Sequence, residues 1–246
     1  MLTQFPKCSA FCASHCSTRV AKAKKAWLNP FLDDRISSTS TLHTILFTMH
    51  DMKMHLTEDP ITALTEVGLI PGAFEVRSIF EATDQGDRAD RILLSEHRLA
   101  VPYIKEYDSI KGNGPATWAK RFDVSHWGLL GAQAEGRRVG AAVVAFDTPG
   151  LDMLEGRADL AVLWDIRVLP EFRGQGVGSA LFRSAEGWAG RRSCRQLRVE
   201  TQNINVPACR FYARQGCGLE RMNRSAYPDF PDEIQLLWGK DVVVVA

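Results

Sequence analysis

Three glycines at every second position, in Arg173-Gly174-Gln175-Gly176-Val177-Gly178-Ser179, are the residues of this 246-residue chain whose spacing speaks most directly of chemistry. Glycine removes the Cβ atoms, so backbone N–H groups can turn toward an anion at the positive end of a following helix. That arrangement suits a diphosphate and does not say which one. A Walker loop requires GxxxxGK[ST], and no Lys follows these glycines. A dinucleotide turn requires GxGxxG; Gly174 and Gly176 fit the first two places, Ser179 stands in the third, and Glu200 lies about where a ribose-binding acid would. Only 46 residues follow Glu200, too few for the remainder of a doubly wound sheet.

The elements that must position these residues read as a mixed α/β domain. Residues 160–169 are almost wholly apolar, as in a strand covered on both faces. The glycine loop follows, and then a helix with Val177, Leu181, Ala185, Trp188 and Ala189 on one stripe. Residues 196–202 read as the next strand, 207–215 as a short helix stopped by Gly216, and 234–238 as a closing strand. Upstream, residues 74–80 alternate like a half-buried strand, and 127–134 and 139–146 form two strands around the hairpin signal Glu135-Gly136-Arg137-Arg138. Residues 90–122 are expected to hold helical stretches interrupted by Pro102 and by Gly112-Asn113-Gly114-Pro115. A β–loop–α–β order implies at least one parallel crossover.

Composition narrows the classes. The chain is 45% hydrophobic and 24% charged with net charge +1, an ordinary globular balance. Its longest apolar runs, such as residues 141–146, fall far short of the roughly 20 residues that span a bilayer. Residues 55–246 hold 23 Lys and Arg against 26 Asp and Glu, so the body has no general electrostatic reason to grip nucleic acid. Residues 1–54 differ: the first 32 carry Lys7, Arg19, Lys22, Lys24 and Lys25 and no acid, and a Ser/Thr cluster follows. We expect a non-globular extension there, either a targeting segment or a misplaced gene start, with a single domain over 55–246. Of six cysteines, Cys8, Cys12 and Cys16 sit four apart, which is not zinc-site spacing even with His15 beside Cys16. No metal is expected, and reduced thiols fit a cytoplasmic protein.

The stretch 163–170, with the loop and Ala180-Leu181, resembles motif A of the GCN5-related N-acetyltransferases (GNAT). Glu200-Thr201-Gln202-Asn203-Ile204-Asn205-Val206-Pro207-Ala208-Cys209-Arg210-Phe211-Tyr212 is similar to that superfamily's motif B. The Glu-Thr-Gln-Asn stretch, the late strand, Phe74-Glu75-Val76 and Tyr103-Ile104-Lys105-Glu106-Tyr107 look most like the streptothricin acetyltransferase branch.

The resemblance implies a GNAT fold, a mixed central sheet with a splayed parallel strand pair flanked by helices, and acetyl-CoA as co-substrate. It places the diphosphate on the N–H groups of Gly174, Gln175, Gly176, Val177, Gly178 and Ser179, with Arg173 near the phosphates. The pantetheine arm would run along Ile166, Arg167 and Val168 and be held by Asn205. Tyr212 would touch the arm's end and protonate the leaving sulfur. A glutamate that relatives often carry before the Asp-Ile pair is replaced here by Trp164, so Asp165 and Glu200 become the candidates for taking the amine's proton. The acceptor implied is a primary amine of a small molecule, such as an aminoglycoside-like or streptothricin-type antibiotic, with Tyr227 closing its pocket. A carboxylate-lined mouth would suit a cation, and Glu75, Glu81, Asp84, Glu106, Asp108 and Asp229 are candidates by position. A monomer or homodimer is expected, without nucleic-acid or membrane partners. A non-catalytic acyl-CoA sensor and an NAD(P)-dependent oxidoreductase stand as alternatives.

Overall fold

The computed structural model describes residues 54–84 and 92–244. The expectation for residues 1–54, and with it the Cys8, Cys12, Cys16 and His15 reading, lies outside the described residues except at Met54.

Seven strands form one sheet in the order β1-β4-β5-β6-β7-β9-β8: β1 (His55–Asp59), β4 (Gly128–Ala134), β5 (Arg137–Ala145), β6 (Leu160–Val168), β7 (Gln196–Gln202), β9 (Gln235–Asp241) and β8 (Gly218–Asn223). Strands β2 (Phe74–Asp84) and β3 (Ile92–Lys105) make a separate two-stranded ribbon. Every pairing in the large sheet is antiparallel except β6 with β7. A doubly wound dinucleotide fold needs a run of parallel strands, so the oxidoreductase alternative loses its scaffold.

The β4–β5 hairpin closes through two residues, Glu135 and Gly136, both at positive φ (52° and 74°), as the twist of a two-residue turn demands. Helices α1 (Pro115–Arg121), α2 (Val177–Gly190) and α3 (Val206–Arg214) supply the layers, with a 3-10 helix at Ile61–Leu69. Val177, Leu181, Ala185, Trp188 and Ala189, the expected stripe of α2, are all buried. On the opposite face of the sheet, Leu64, Val67, Trp118, Trp127, Leu129, Val143, Val162 and Leu237 make one apolar cluster under the 3-10 helix and α1.

Residues 92–105 were expected to hold helical turns and instead form β3. Most of β3 is exposed and it pairs with β2 alone, so no buried face imposes an alternating pattern on its sequence. Pro102 is accommodated because the register slips there: Val76 opposes Tyr103 while Ser78 already opposes Arg98. Of the expected helical stretches only α1 forms, with Pro115 in its first turn.

The feature that positions the site is a divergence. β6 and β7 pair only from Leu160 with Gln196 to Leu163 with Val199, while β6 stays on β5 as far as Val168 and β7 stays on β9 as far as Gln202. Beyond Leu163 the sheet therefore has a wedge-shaped gap. A bulge at the start of the gap, between Val143 and Val144 of β5, leaves Trp164 without an opposite residue.

Candidate active site

The bulge sets which side chains line each mouth of the gap. Trp164 packs into the aromatic group of Trp118, Phe122 and Trp127 (ring centroids 6.1, 5.5 and 5.5 Å) and so faces the 3-10 helix and α1. Asp165 and Arg167 face the same way. Val168 points to the other face, where its methyl lies 3.8 Å from a Cβ built on Gly178 of α2. On β7, Thr201 meets Cys209 of α3 (3.3 Å), whereas Glu200 shares its side with Leu237 of the apolar cluster. One mouth thus belongs to α2, α3 and the glycine loop. The other belongs to Asp165, Arg167 and Glu200.

At the helical mouth, Gly174 and Gly176 have φ of +75° and +84°, and a Cβ built on either meets nothing within 4 Å. Both glycines are needed for a left-handed turn that opens onto clear space. Gly178 serves differently, lying within α2 with its built Cβ 3.4 Å from the Phe211 ring, so it lets α3 approach. Ala180 N–H is bonded to Gly176 C=O (3.0 Å), so the amides of Val177, Gly178 and Ser179 precede the helical ladder and are unspent by it. The Ser179 hydroxyl accepts from Gln215 Nε2 (3.1 Å), Gln175 Nε2 donates to Glu171 C=O (2.7 Å), and Arg173 Nε donates to Val168 C=O (3.0 Å).

Backbone direction along β6 follows from one bond. Leu169 N–H donates to Val139 C=O (2.9 Å), so by strand alternation the amides of Arg167 and Asp165 also face β5. Ile166 and Val168 then present their N–H groups to the gap. Arg167 was expected among the residues along a bound arm, and its placement is otherwise. Its amide faces β5, and its guanidinium is buried between Asp165 (2.7 Å) and Asp108 (2.5 and 2.9 Å), with Ile70 C=O at 3.2 Å. Those two carboxylates hold the guanidinium above its ordinary range against the opposing effect of burial. Asp165 is pushed up by burial and pulled down by Arg167. On balance burial wins and the Asp165 carboxyl lies above its ordinary range, but an ion pair with Arg167 engages both its oxygens, so of the two expected acceptors it is the less available in this geometry.

Tyr212, on α3, is 5% exposed and packs against Phe211 and Phe182 (centroids 5.2 and 6.0 Å). Among the described residues its hydroxyl has no hydrogen-bond partner. The one fully enclosed polar side-chain atom without a partner there is Arg198 Nε, so the Tyr212 oxygen keeps an opening. Burial first, then the charge of Asp165, raises the phenol well above its usual range, so it stays protonated at any ordinary pH. Asn205 caps α3, its Oδ1 accepting from Ala208 N–H (3.2 Å). Arg210 of α3 is paired with Glu96 of β3. The Cys217 thiol is buried and pushed up to about 12, so it is no nucleophile.

At the opposite mouth, Glu200 accepts from Tyr227 hydroxyl (2.7 Å) and Gln235 Nε2 (2.6 Å), and burial raises its carboxyl above the usual range. Glu233 accepts from Lys105 Nζ and from Tyr107 hydroxyl, each at 2.5 Å. Glu233, Tyr107, Lys105 and Gln235 were not singled out as site residues by the sequence. The Tyr103–Tyr107 stretch was noticeable as a motif, but nothing local ties it to Glu233. Of the acids proposed for the mouth, Asp108 joins Arg167, while Glu75 and Glu81 pair with Arg77 and His97 on the exposed ribbon. Among the described residues no helix is long and apolar enough to cross a membrane.

The arrangement is a gap in a sheet with two differently lined mouths. Unspent amides and a protonated phenol stand at one, and a partly buried carboxylate with acidic neighbours stands at the other. Comparison with known proteins gives the same direction. The acetyltransferase (GNAT) family pattern matches residues 94–217. The chain is 29% identical over 151 residues to streptothricin acetyltransferase A of Bacillus subtilis (strain 168), covering 58% of this chain and 76% of that protein. It is 28% identical over 154 residues to a streptothricin acetyltransferase of Streptomyces lavendulae, covering 61% and 76%. Among solved structures, a protein described as a streptothricin acetyltransferase of Bacillus anthracis str. Ames, crystallised with acetyl coenzyme A, superposes with a TM-score of 0.60 at 21% identity over 77% of this chain and 99% of that one.

Proposed function

The chain belongs to the acetyltransferase (GNAT) family, and we propose that it carries an acetyl group from acetyl-CoA to a primary amine of a cationic small molecule of the streptothricin type. The observation that carries the reading is the gap between β6 and β7, with the unspent amides and Tyr212 at one mouth and Glu200 at the other.

The residues present fit the co-substrate. The open turn at Gly174 and Gly176 and the unspent amides of Val177, Gly178 and Ser179 would hold its diphosphate. The free edge at Ile166 and Val168 would pair with its amide-bearing arm as an added strand does. When bound, acetyl-CoA supplies an acetyl group activated as a thioester.

The chain's own residues divide the proton work. An amine arrives as ammonium and must lose a proton before it is nucleophilic. Glu200, whose burial makes it a stronger base than an exposed carboxylate, takes that proton directly or through water. Tyr212 keeps a proton on its hydroxyl oxygen and gives it to the departing sulfur. Asp108 and Asp165 share the single Arg167 guanidinium, which leaves that end of the mouth acidic and suited to a cation.

Thiol release on mixing acetyl-CoA with a panel of amines tests the reading. Streptothricin is expected to be turned over faster than uncharged amines of similar size. No thiol release with any primary amine, or equal rates for cationic and neutral acceptors, would overturn it.

A further inference from the structure

Glu200 is held from two sides. Tyr227 donates to its Oε1 (2.7 Å) and Gln235 to its Oε2 (2.6 Å), and Tyr227 itself accepts from Gln202 Nε2 (3.1 Å), two residues along β7. Each carboxylate oxygen can accept two hydrogen bonds, so each retains a site for an incoming ammonium. Tyr227 is 3% exposed and rides on the segment between β8 and β9, which is anchored at its far end. There Glu233 takes bonds from Lys105 and Tyr107, the Lys105 ammonium lies 3.7 Å above the Phe230 ring, and Asn203 joins Ile234 N–H (2.8 Å) to Phe80 C=O (2.9 Å). A segment fixed by two strands and a ribbon therefore delivers one phenol to one partly buried carboxylate.

We propose that Tyr227 is a positioning residue for acetyl transfer, which with Gln235 fixes the Glu200 carboxylate toward the acceptor and keeps it in the ionised form that takes the amine's proton. This rests on the reading of Glu200 as the proton acceptor. Burial favours the neutral form of Glu200, and the bonds from Tyr227 and Gln235 oppose it. Among the described residues, the other charged or titratable groups on this side include Tyr103 and Tyr107, Glu233 with Lys105 behind it, and Asp165 and Asp108 on Arg167. The fields of Glu200 and Glu233 and the burial of both phenols raise Tyr107 and Tyr227, so neither ionises in the working range and both remain donors.

The test is the pH profile of kcat/KM for the amine. Tyr227→Phe keeps the ring and removes the donor, so the acidic limb is expected to move up by about one pH unit, with roughly tenfold lower kcat/KM at pH values on the acidic limb, recovery at higher pH and an unchanged KM for acetyl-CoA. Site-specific 3-fluorotyrosine at position 227 conserves the fold and strengthens the donor, so the limb should move the other way. A purely structural Tyr227 would lower the melting temperature and leave the limb in place, which would overturn the proposal. Glu200→Gln separates the two layers. If it retains the wild-type limb, Glu200 is not the proton acceptor and both readings fall. If it removes the limb while both changes at 227 leave it unmoved, the positioning role alone falls.

Discussion

Replacing Tyr212 by Phe removes a single oxygen from the helical mouth, and its effects on stability and on rate are expected to part company. The hydroxyl bonds to no described residue, while the ring keeps its contacts with Phe182 and Phe211. No buried partner is stranded, so the loss should stay within about 1 kcal/mol. For a domain of this size that is a fall in melting temperature of roughly 2–4 °C. The rate should fall much further. General acid catalysis contributes about 10²–10⁴-fold, equivalent to roughly 3–5 kcal/mol of barrier.

A raised phenol pKa might be thought to disqualify Tyr212 as an acid. The reference values for phenol and thiol are about 10 and 8.5. Burial lifts the phenol, but a thiolate leaving into the same enclosed space is destabilised by the same desolvation, so the gap between the two need not widen. What burial secures is that the proton is present: no alkaline loss of activity from Tyr212 is expected below about pH 10. Initial rates of thiol release for wild type and Tyr212→Phe, beside thermal melts of both, measure the two effects separately. Acetyl thioesters of more acidic thiols need less help in leaving, so the variant's deficit should shrink with them. A kcat within threefold of wild type at unchanged melting temperature would refute proton donation by Tyr212.

Three further outcomes follow from named contacts. Arg167→Met leaves the partly buried Asp108 and Asp165 carboxylates without their cation and should destabilise by about 3 kcal/mol, a fall in melting temperature on the order of 10 °C. Because the Asp165 carboxyl in the folded state is then raised further, the folded state binds protons more tightly than the unfolded one. Part of the loss should therefore return as pH falls through that raised value, as thermal melts across pH would show. Asp108→Asn keeps Asp165 on the guanidinium and should cost clearly less than Arg167→Met, while weakening kcat/KM for cationic acceptors in the thiol-release assay. Gly176→Ala places a side chain at φ +84° and over the amides of the turn. It should cost about 1 kcal/mol and raise KM for acetyl-CoA several-fold with little change in KM for the amine.

What was readable in the sequence was local, and what was not depended on register. The loop between β6 and α2 announces itself because positive φ at Gly174 and Gly176 and the apolar stripe of α2 are short-range requirements on residue type. Strand β3 carries no such mark, since most of its residues are exposed and any pattern would serve. The mouth at Glu200 is joined by Arg167 with Asp108, 59 residues apart, and by Tyr107 with Glu233, 126 apart. No spacing rule reaches across such distances. The bulge at Trp164 is the sharpest case. Continuing the alternation of Leu160 and Val162 would put Trp164, Ile166 and Val168 toward the apolar cluster and send Asp165 and Arg167 to the α2 face. One unpaired residue reverses that parity, so Trp164 and Asp165 share a face, Arg167 reaches Asp108, and Val168 meets α2. Had β6 run without the bulge, its charged pair would lie under the glycine loop, where carboxylates would repel a diphosphate. The separation of the glycine-loop mouth from the acidic one thus rests on a single inserted residue whose presence is fixed by how β5 and β6 pair.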